Sequence, residues 1–203
     1  QGPMGDRRLI TYFATHGMGR ALRHRDFALY SAFGWVSHVG AWAQRIGVFW
    51  LVWELTGSGA LLGGLALAEV LPLMILIPVA GAIADRYERL RVARLLQALP
   101  MGIATLLAVL VLFDWISVPA LFILVMLGGA AEGLWAPVRL AIAPNLVPKE
   151  DFTASVGVNS VLFNTAQFIG PAVAGLIIAF ANIGYIFAFN AVSFLSYFIA
   201  LNF

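Results

Sequence analysis

Apolar residues run along this chain in six long blocks, at about Phe27–Trp53, Leu61–Ala84, Val92–Phe113, Val118–Ile142, Thr153–Ala181 and Gly184–Leu201. Each is close to the roughly 20 residues that a helix needs to cross a bilayer. Backbone polar groups must be satisfied internally in lipid, so each block is expected to be a transmembrane helix. The separators carry turn chemistry: Thr56-Gly57-Ser58-Gly59, Asp85–Arg91, Asp114–Ser117, Pro144–Asp151 and Asn182. Gly170-Pro171 falls inside the fifth block, where it is expected to bend the helix rather than end it.

Composition narrows the class. Of 203 residues, 62% are hydrophobic and only 11% are charged, against roughly 45–50% apolar in soluble domains. Too little polar surface remains to cover an ordinary soluble core. The aromatic share of 13% excludes disorder. The lack of cysteine excludes a disulfide scaffold, a zinc-thiolate site and a cysteine nucleophile.

The net charge of +2 does not point to nucleic acid, because the arginines flank the apolar blocks instead of forming one basic face. Arg7, Arg8, Arg20, Arg23 and Arg25 precede the first block, and Arg86, Arg89, Arg91 and Arg94 follow the second. Lys149 lies in the connection between the fourth and fifth, while the other three connections hold no Lys or Arg. By the positive-inside rule, six spans then leave both termini in the cytoplasm. Trp50, Trp53, Trp115 and Tyr185 fall near the outer ends, as in an aromatic belt. Residues 1–3, Gln-Gly-Pro, resemble a protease cleavage junction and are set aside. Residues 4–26 read as a basic cytosolic segment, and 27–203 as the transmembrane bundle.

Ionisable residues inside the blocks stand out, since each costs at least roughly 2.5–3.5 kcal/mol at the bilayer centre. They are Arg45, Glu69 and Glu132, with His38 as a milder case. Arg45 and Glu69 each lie eight residues from the predicted outer ends of adjacent antiparallel spans, about 12 Å deep at the helical rise. Equal depth allows them to pair, as a static bridge or as a substrate or proton site; the third alternative is that both face a watery cavity unpaired. Ser31, Trp35, His38, Trp42 and Arg45 recur every three or four residues on one face, with Gln44 beside them. That stripe suits a cavity wall or polar helix packing. Glu132 is the deeper partner of Arg139, which shares its face near the cytoplasmic end and is expected to snorkel to the interface. Burial would make Glu132 a protonatable group. Ser160, Asn164 and Gln167 form a further stripe, as do Asn190, Ser193 and Tyr197; interhelical hydrogen bonding explains both as well as ligand binding does.

At Gly81-Ala82-Ile83-Ala84-Asp85-Arg86-Tyr87-Glu88-Arg89 the chain resembles the loop between helices two and three of the major facilitator superfamily. Gly81 matches the close-packing glycine, Asp85 the loop aspartate, and Arg86 and Arg89 the basic positions. Glu88 replaces a usual glycine and Leu90 a usual basic residue. The runs from Trp42-Ala43-Gln44-Arg45 to Ser58, from Ala136-Pro137-Val138-Arg139 to Pro144, and from Phe163-Asn164 to Gly170-Pro171-Ala172 resemble the branch of siderophore and drug exporters. Gly175 then corresponds to the glycine that follows the Gly-Pro pair of the antiporter subset. The fourth span lacks the membrane arginine linked to proton coupling in many relatives, which leaves Arg45, Glu69 or Glu132 for that role.

The resemblance implies an all-α membrane protein whose six helices form a bundle of three-plus-three inverted repeats. Substrate would bind near the midplane, and one six-helix half would rock against another. One half presents one cavity wall, so a second six-helix half or a homodimer partner is expected. The expected function is secondary active export of small amphipathic or hydrophobic solutes by alternating access, driven or not by protons. A non-transporting six-helix receptor, channel or assembly subunit is the alternative. No catalytic residue, metal or cofactor is expected. All three histidines (His16, His24, His38) precede residue 39, so an intramembrane Ser–His or paired-histidine metal centre has no late histidine to use.

Overall fold

The computed structural model describes residues 18–86, 89–142 and 146–200, without the side chains of 18, 81–86, 89–92, 140 and 141. Helices dominate: α1 Arg25–Thr56, α2 Gly59–Arg86, α3 Arg89–Leu112, α4 Val118–Ile142, α5 Phe152–Phe180 and α6 Gly184–Ala200. Short 3-10 turns at Met18–Arg23 and Lys149–Asp151 precede α1 and α5. The described residues contain no strand. Helices run on through Pro72, Pro78, Pro100, Pro137 and Pro171.

Local chemistry sets the breaks. Gly57 ends α1 in the left-handed region (φ 60°), and its N–H bonds Trp53 O at 2.8 Å, a stop that glycine adopts without steric cost. Ser58 Oγ accepts the Leu61 N–H at 3.3 Å, and Ser117 Oγ accepts that of Ala120 at 3.4 Å. These hydroxyls satisfy orphan donors at the starts of α2 and α4. Asn182 Oδ1 does the same for Gly184 N–H at 2.7 Å.

Among the described residues, four stretches are long and apolar enough to cross a membrane: Gly59–Ala80, Ala93–Leu112, Val118–Arg139 and Lys149–Phe180. This is fewer than the six spans expected. α6 is apolar but has only 17 residues. α1 has 32 residues, but His38, Gln44 and Arg45 dilute its apolar character.

The contacts fix helix directions. Thr165 of α5 bonds Trp35 of α1, and Gly170 meets Val39 and Ala43, so α1 and α5 run parallel. Gly129 meets Glu69 and Gly133 meets Leu73, so α2 and α4 also run parallel. Gly34 faces Tyr197 and Gly47 faces Ile186, which makes α6 antiparallel to α1. Gln97 bonds Phe194 O while Leu112 touches Gly184, so α3 opposes α6 as well. Helices therefore alternate, and the start of α1 lies beside the end of α6. The main neighbours are α1 with α5 and α6, α4 with α2 and α3, and α3 with α6. Exchanging the first three helices for the last three maps α1–α5 onto α4–α2, α1–α6 onto α4–α3, and α3–α6 onto itself.

Apolar clusters close the two ends. Phe27, Tyr30, Trp135, Val138 and Tyr197 fill one, and Val48, Leu51, Leu65, Leu107, Leu121 and Phe187 the other. Between them, residues 31–47 of α1 face a polar middle layer. On the outside, α2 exposes Leu67, Leu71, Met74 and Ile75, an outer surface suited to lipid.

Candidate functional site

The middle layer is hollow. A cleft of about 350 Å³ opens between α1, α2 and α4 and is lined by Trp42, Gln44, Arg45, Glu69, Glu132 and Arg139 among others. Arg45 Nε lies 3.3 Å from Glu69 Oε2, and its Cζ sits 5.3 Å from the centre of the Trp42 ring. The guanidinium is thus held by a carboxylate and an aromatic face together. Glu69 reaches this place because α2 presses its backbone onto Gly129 and Gly133, where an added Cβ would strike Glu69 and Leu73 carbonyl oxygens. Glycines four apart permit such close parallel packing. The Gly129-x-x-x-Gly133 spacing is the sequence signal for that packing.

A second cleft of about 410 Å³ lies between α1, α5 and the ends of α4 and α6. Ser31, Trp35, Arg139 and Asn164 line it. His38, Arg139, Phe163 and Tyr197 border both clefts. The His38 ring stands edge-on to Phe163 with centroids 5.5 Å apart, and its Nδ1–H donates to Gly34 O at 2.6 Å. The stripe on α1 therefore divides: Ser31 and Trp35 serve one cleft, Trp42 and Arg45 the other, and His38 lies between.

Arg139 corrects one expectation. Instead of reaching for the interface, it turns back so that Nη2 lies 3.4 Å from Glu132 Oε1. Its side chain is 20% exposed against 44% for Glu132. Two helical turns separate them, and the long arginine spans that gap to meet the carboxylate.

The remaining polar residues behave unevenly. Gln44 Oε1 accepts from Asn190 Nδ2 at 2.9 Å, and Ser193 Oγ donates to Asn190 Oδ1 at 3.0 Å, tying α1 to α6. Trp35 Nε1 donates to Thr165 Oγ1 at 3.0 Å, tying α1 to α5. Asn164 donates to Ser160 O of its own helix at 2.7 Å. Gln167 is half-buried and lines neither cleft. Gly170 packs on the α1 backbone beside Trp42, next to Pro171, whereas a Cβ at Gly175 would meet open space. The sequence reading missed Asp151, which Arg20 approaches at 2.9 Å and His24 at 2.9 Å, pinning the segment before α1 to the start of α5. The side chains of Gly81, Asp85, Arg86 and Arg89 lie outside the described residues, as do Tyr87 and Glu88 entirely.

The architecture and its polar middle layer match a family description. Over residues 19–203 the chain fits the transmembrane secretion effector family. It belongs to the major facilitator superfamily. The chain is 32% identical over 142 residues to the staphyloferrin A transporter of Staphylococcus aureus, covering 70% of this chain and 36% of that protein. It is 30% identical over 135 residues to the multidrug efflux pump Tap of Mycolicibacterium fortuitum (64% of this chain, 33% of the relative). Identity is 23% over 142 residues to macrolide efflux protein A of Streptococcus pyogenes (70% and 35%). This superfamily member thus matches about a third of each relative's length. Membership and its apolar helices make it a multi-pass plasma-membrane protein of a transporter family, not of an enzyme family.

Proposed function

We propose that this chain forms one wall of the solute path in a secondary active exporter. All six helices would span the membrane, α1 and α6 completing the set because their polar faces turn inward. Both termini would lie in the cytoplasm, as the basic residues before α1 and around the α2–α3 junction require. The helix exchange relation then reads as an inverted repeat. The observation that carries the proposal is the placement of Arg45 and Glu69 against Trp42 inside an open cleft. Burying such groups in a membrane is costly without a use for them.

The cleft is open on one side, so a second six-helix unit, within the same polypeptide or in a partner, would close it and rock against it. Asp85, Arg86 and Arg89 at the α2–α3 junction would hold one conformation through charge-assisted bonds, with Gly81 allowing close helix packing. Aromatic walls suit small amphipathic or hydrophobic solutes. Glu69 and Glu132 are the candidate proton carriers; His38, Gln44 and Asn164 supply polar contacts, and Gly170, Pro171 and Gly175 the flexing part of α5. Uptake of neutral, cationic and anionic fluorescent amphipaths into inverted vesicles under a proton gradient tests this. Saturable uptake slowed by Glu69→Gln or Glu132→Gln supports it. Full uptake in both variants makes the acids structural, and steady conductance in planar bilayers replaces the carrier with a channel.

A further inference from the structure

Arg139 has no task in the scheme above. It borders both clefts, and it is the only Lys, Arg, Asp or Glu among the described residues lining the α1–α5 cleft. Among the described residues no carboxylate lines that side. Among the described residues its contact with Glu132 is a single Nη2–Oε1 approach of 3.4 Å, which leaves most of the guanidinium fork for a planar anion. One hydroxyl on the same wall is uncommitted, and a second, that of Tyr197, has the Tyr30 hydroxyl beside it. Ser31 Oγ and Tyr197 Oη are both buried, and Ser31 Oγ makes no hydrogen bond among the described residues. Buried polar groups are normally satisfied, so such a donor marks a place where an acceptor fits. Trp35, Leu162 and Phe163 give the wall an apolar, aromatic part, beside the polar His38, Asn159, Ser160 and Asn164.

We infer that the α1–α5 cleft takes an organic anion. Its head would sit on Arg139, Ser31 and Tyr197, and its apolar body along Trp35 and Phe163. Glu132 is the resident anion that it displaces from Arg139. Displacement does not strand the carboxylate, because Glu132 is the more exposed partner. A bound anion thereby releases Glu132 from Arg139, which couples the two clefts through one side chain. This rests on the clefts serving as a solute path, but its test needs only binding and no transport.

The test is equilibrium binding of 2-naphthoate and its uncharged counterpart 2-naphthamide to the intact protein in phosphatidylcholine nanodiscs. Naphthoate should bind about tenfold tighter, the scale of one charge-assisted contact. Arg139→Gln should erase the difference, and Arg139→Lys should retain part of it if the glutamine variant does not fold. Ser31→Ala and Tyr197→Phe should each weaken naphthoate a few-fold. Glu132→Gln should tighten naphthoate by releasing the cation, a change that a purely structural Arg139 would not give. Repeating the titration with phosphatidylglycerol separates the sources of the anion. Competition by the lipid assigns the site to membrane headgroups, and no competition assigns it to solutes; either keeps the anion site. Equal affinity for the two probes, or weaker naphthoate binding in Glu132→Gln, overturns the inference.

Discussion

Three glycines of α4 test whether close helix packing places Glu69. A methyl group at Gly133 would lie 2.7 Å from Leu73 O and 3.0 Å from Leu73 Cα. Restoring ordinary contact requires α2 to retreat by about 0.7 Å, and overpacking of this kind costs roughly 1–3 kcal/mol. At Gly129 the collision is with Glu69 O and is closer still. A carbonyl bonded within its own helix cannot swing aside, so the whole helix must move. Gly128 is the internal control, because a Cβ there meets nothing within 4 Å. Gly128→Ala should gain the helix preference of alanine, up to about 1 kcal/mol. Net of that gain, Gly133→Ala should lose about 1 kcal/mol and Gly129→Ala about 2 kcal/mol. Unfolding in mixed detergent micelles, followed by circular dichroism, reads all three on one scale. If Gly129→Ala and Gly133→Ala prove as stable as Gly128→Ala, α2 and α4 are not in backbone contact and Glu69 is placed by something else.

Asn190→Ala should destabilise the bundle by about 1 kcal/mol in the same unfolding assay, because it removes a buried amide that bonds the half-buried Gln44. Replacing both Gln44 and Asn190 with leucine should cost less than the two single changes added together, since no polar atom is left unpaired. Asp151→Asn should release the segment before α1. A spin label at Leu22, which is exposed, should become more mobile, while Arg20→Gln should have a smaller effect because His24 still reaches Asp151. Exchanging the charges, Arg45→Glu with Glu69→Arg, should restore much of the stability that either reversal alone removes, as expected of a contacting pair.

The helical architecture was legible because lipid forces backbone satisfaction within each segment, and the apolar blocks match the helices to within a few residues. The pairing of Arg45 with Glu69 was also readable, since a short turn between α1 and α2 puts equal depths side by side. Depth says nothing about reach, however. Arg139 was expected at the interface because its Cα is near a helix end, yet its long side chain turns back to Glu132. Asn190 finding Gln44 and Asp151 finding Arg20 and His24 depend on which helices become neighbours, and periodicity carries no such information. The polar stripe on α5 shows the same limit. Asn164 reaches a cleft and Gln167 does not, although spacing alone ranks them together.

In the proposed function the stripe on α1 borders a water-filled solute path rather than lipid. The chain contains no cysteine, so single cysteines can be introduced without removing any from this segment. Ala41 lies in the cleft beside Arg45 and is exposed, and Leu71 is exposed on the outer face of α2. Labelling by a charged, water-soluble methanethiosulfonate in intact membranes compares them directly. Rapid modification of Ala41→Cys and little of Leu71→Cys is the expected result. Equal rates, or a reactive Leu71→Cys with an inert Ala41→Cys, would contradict it.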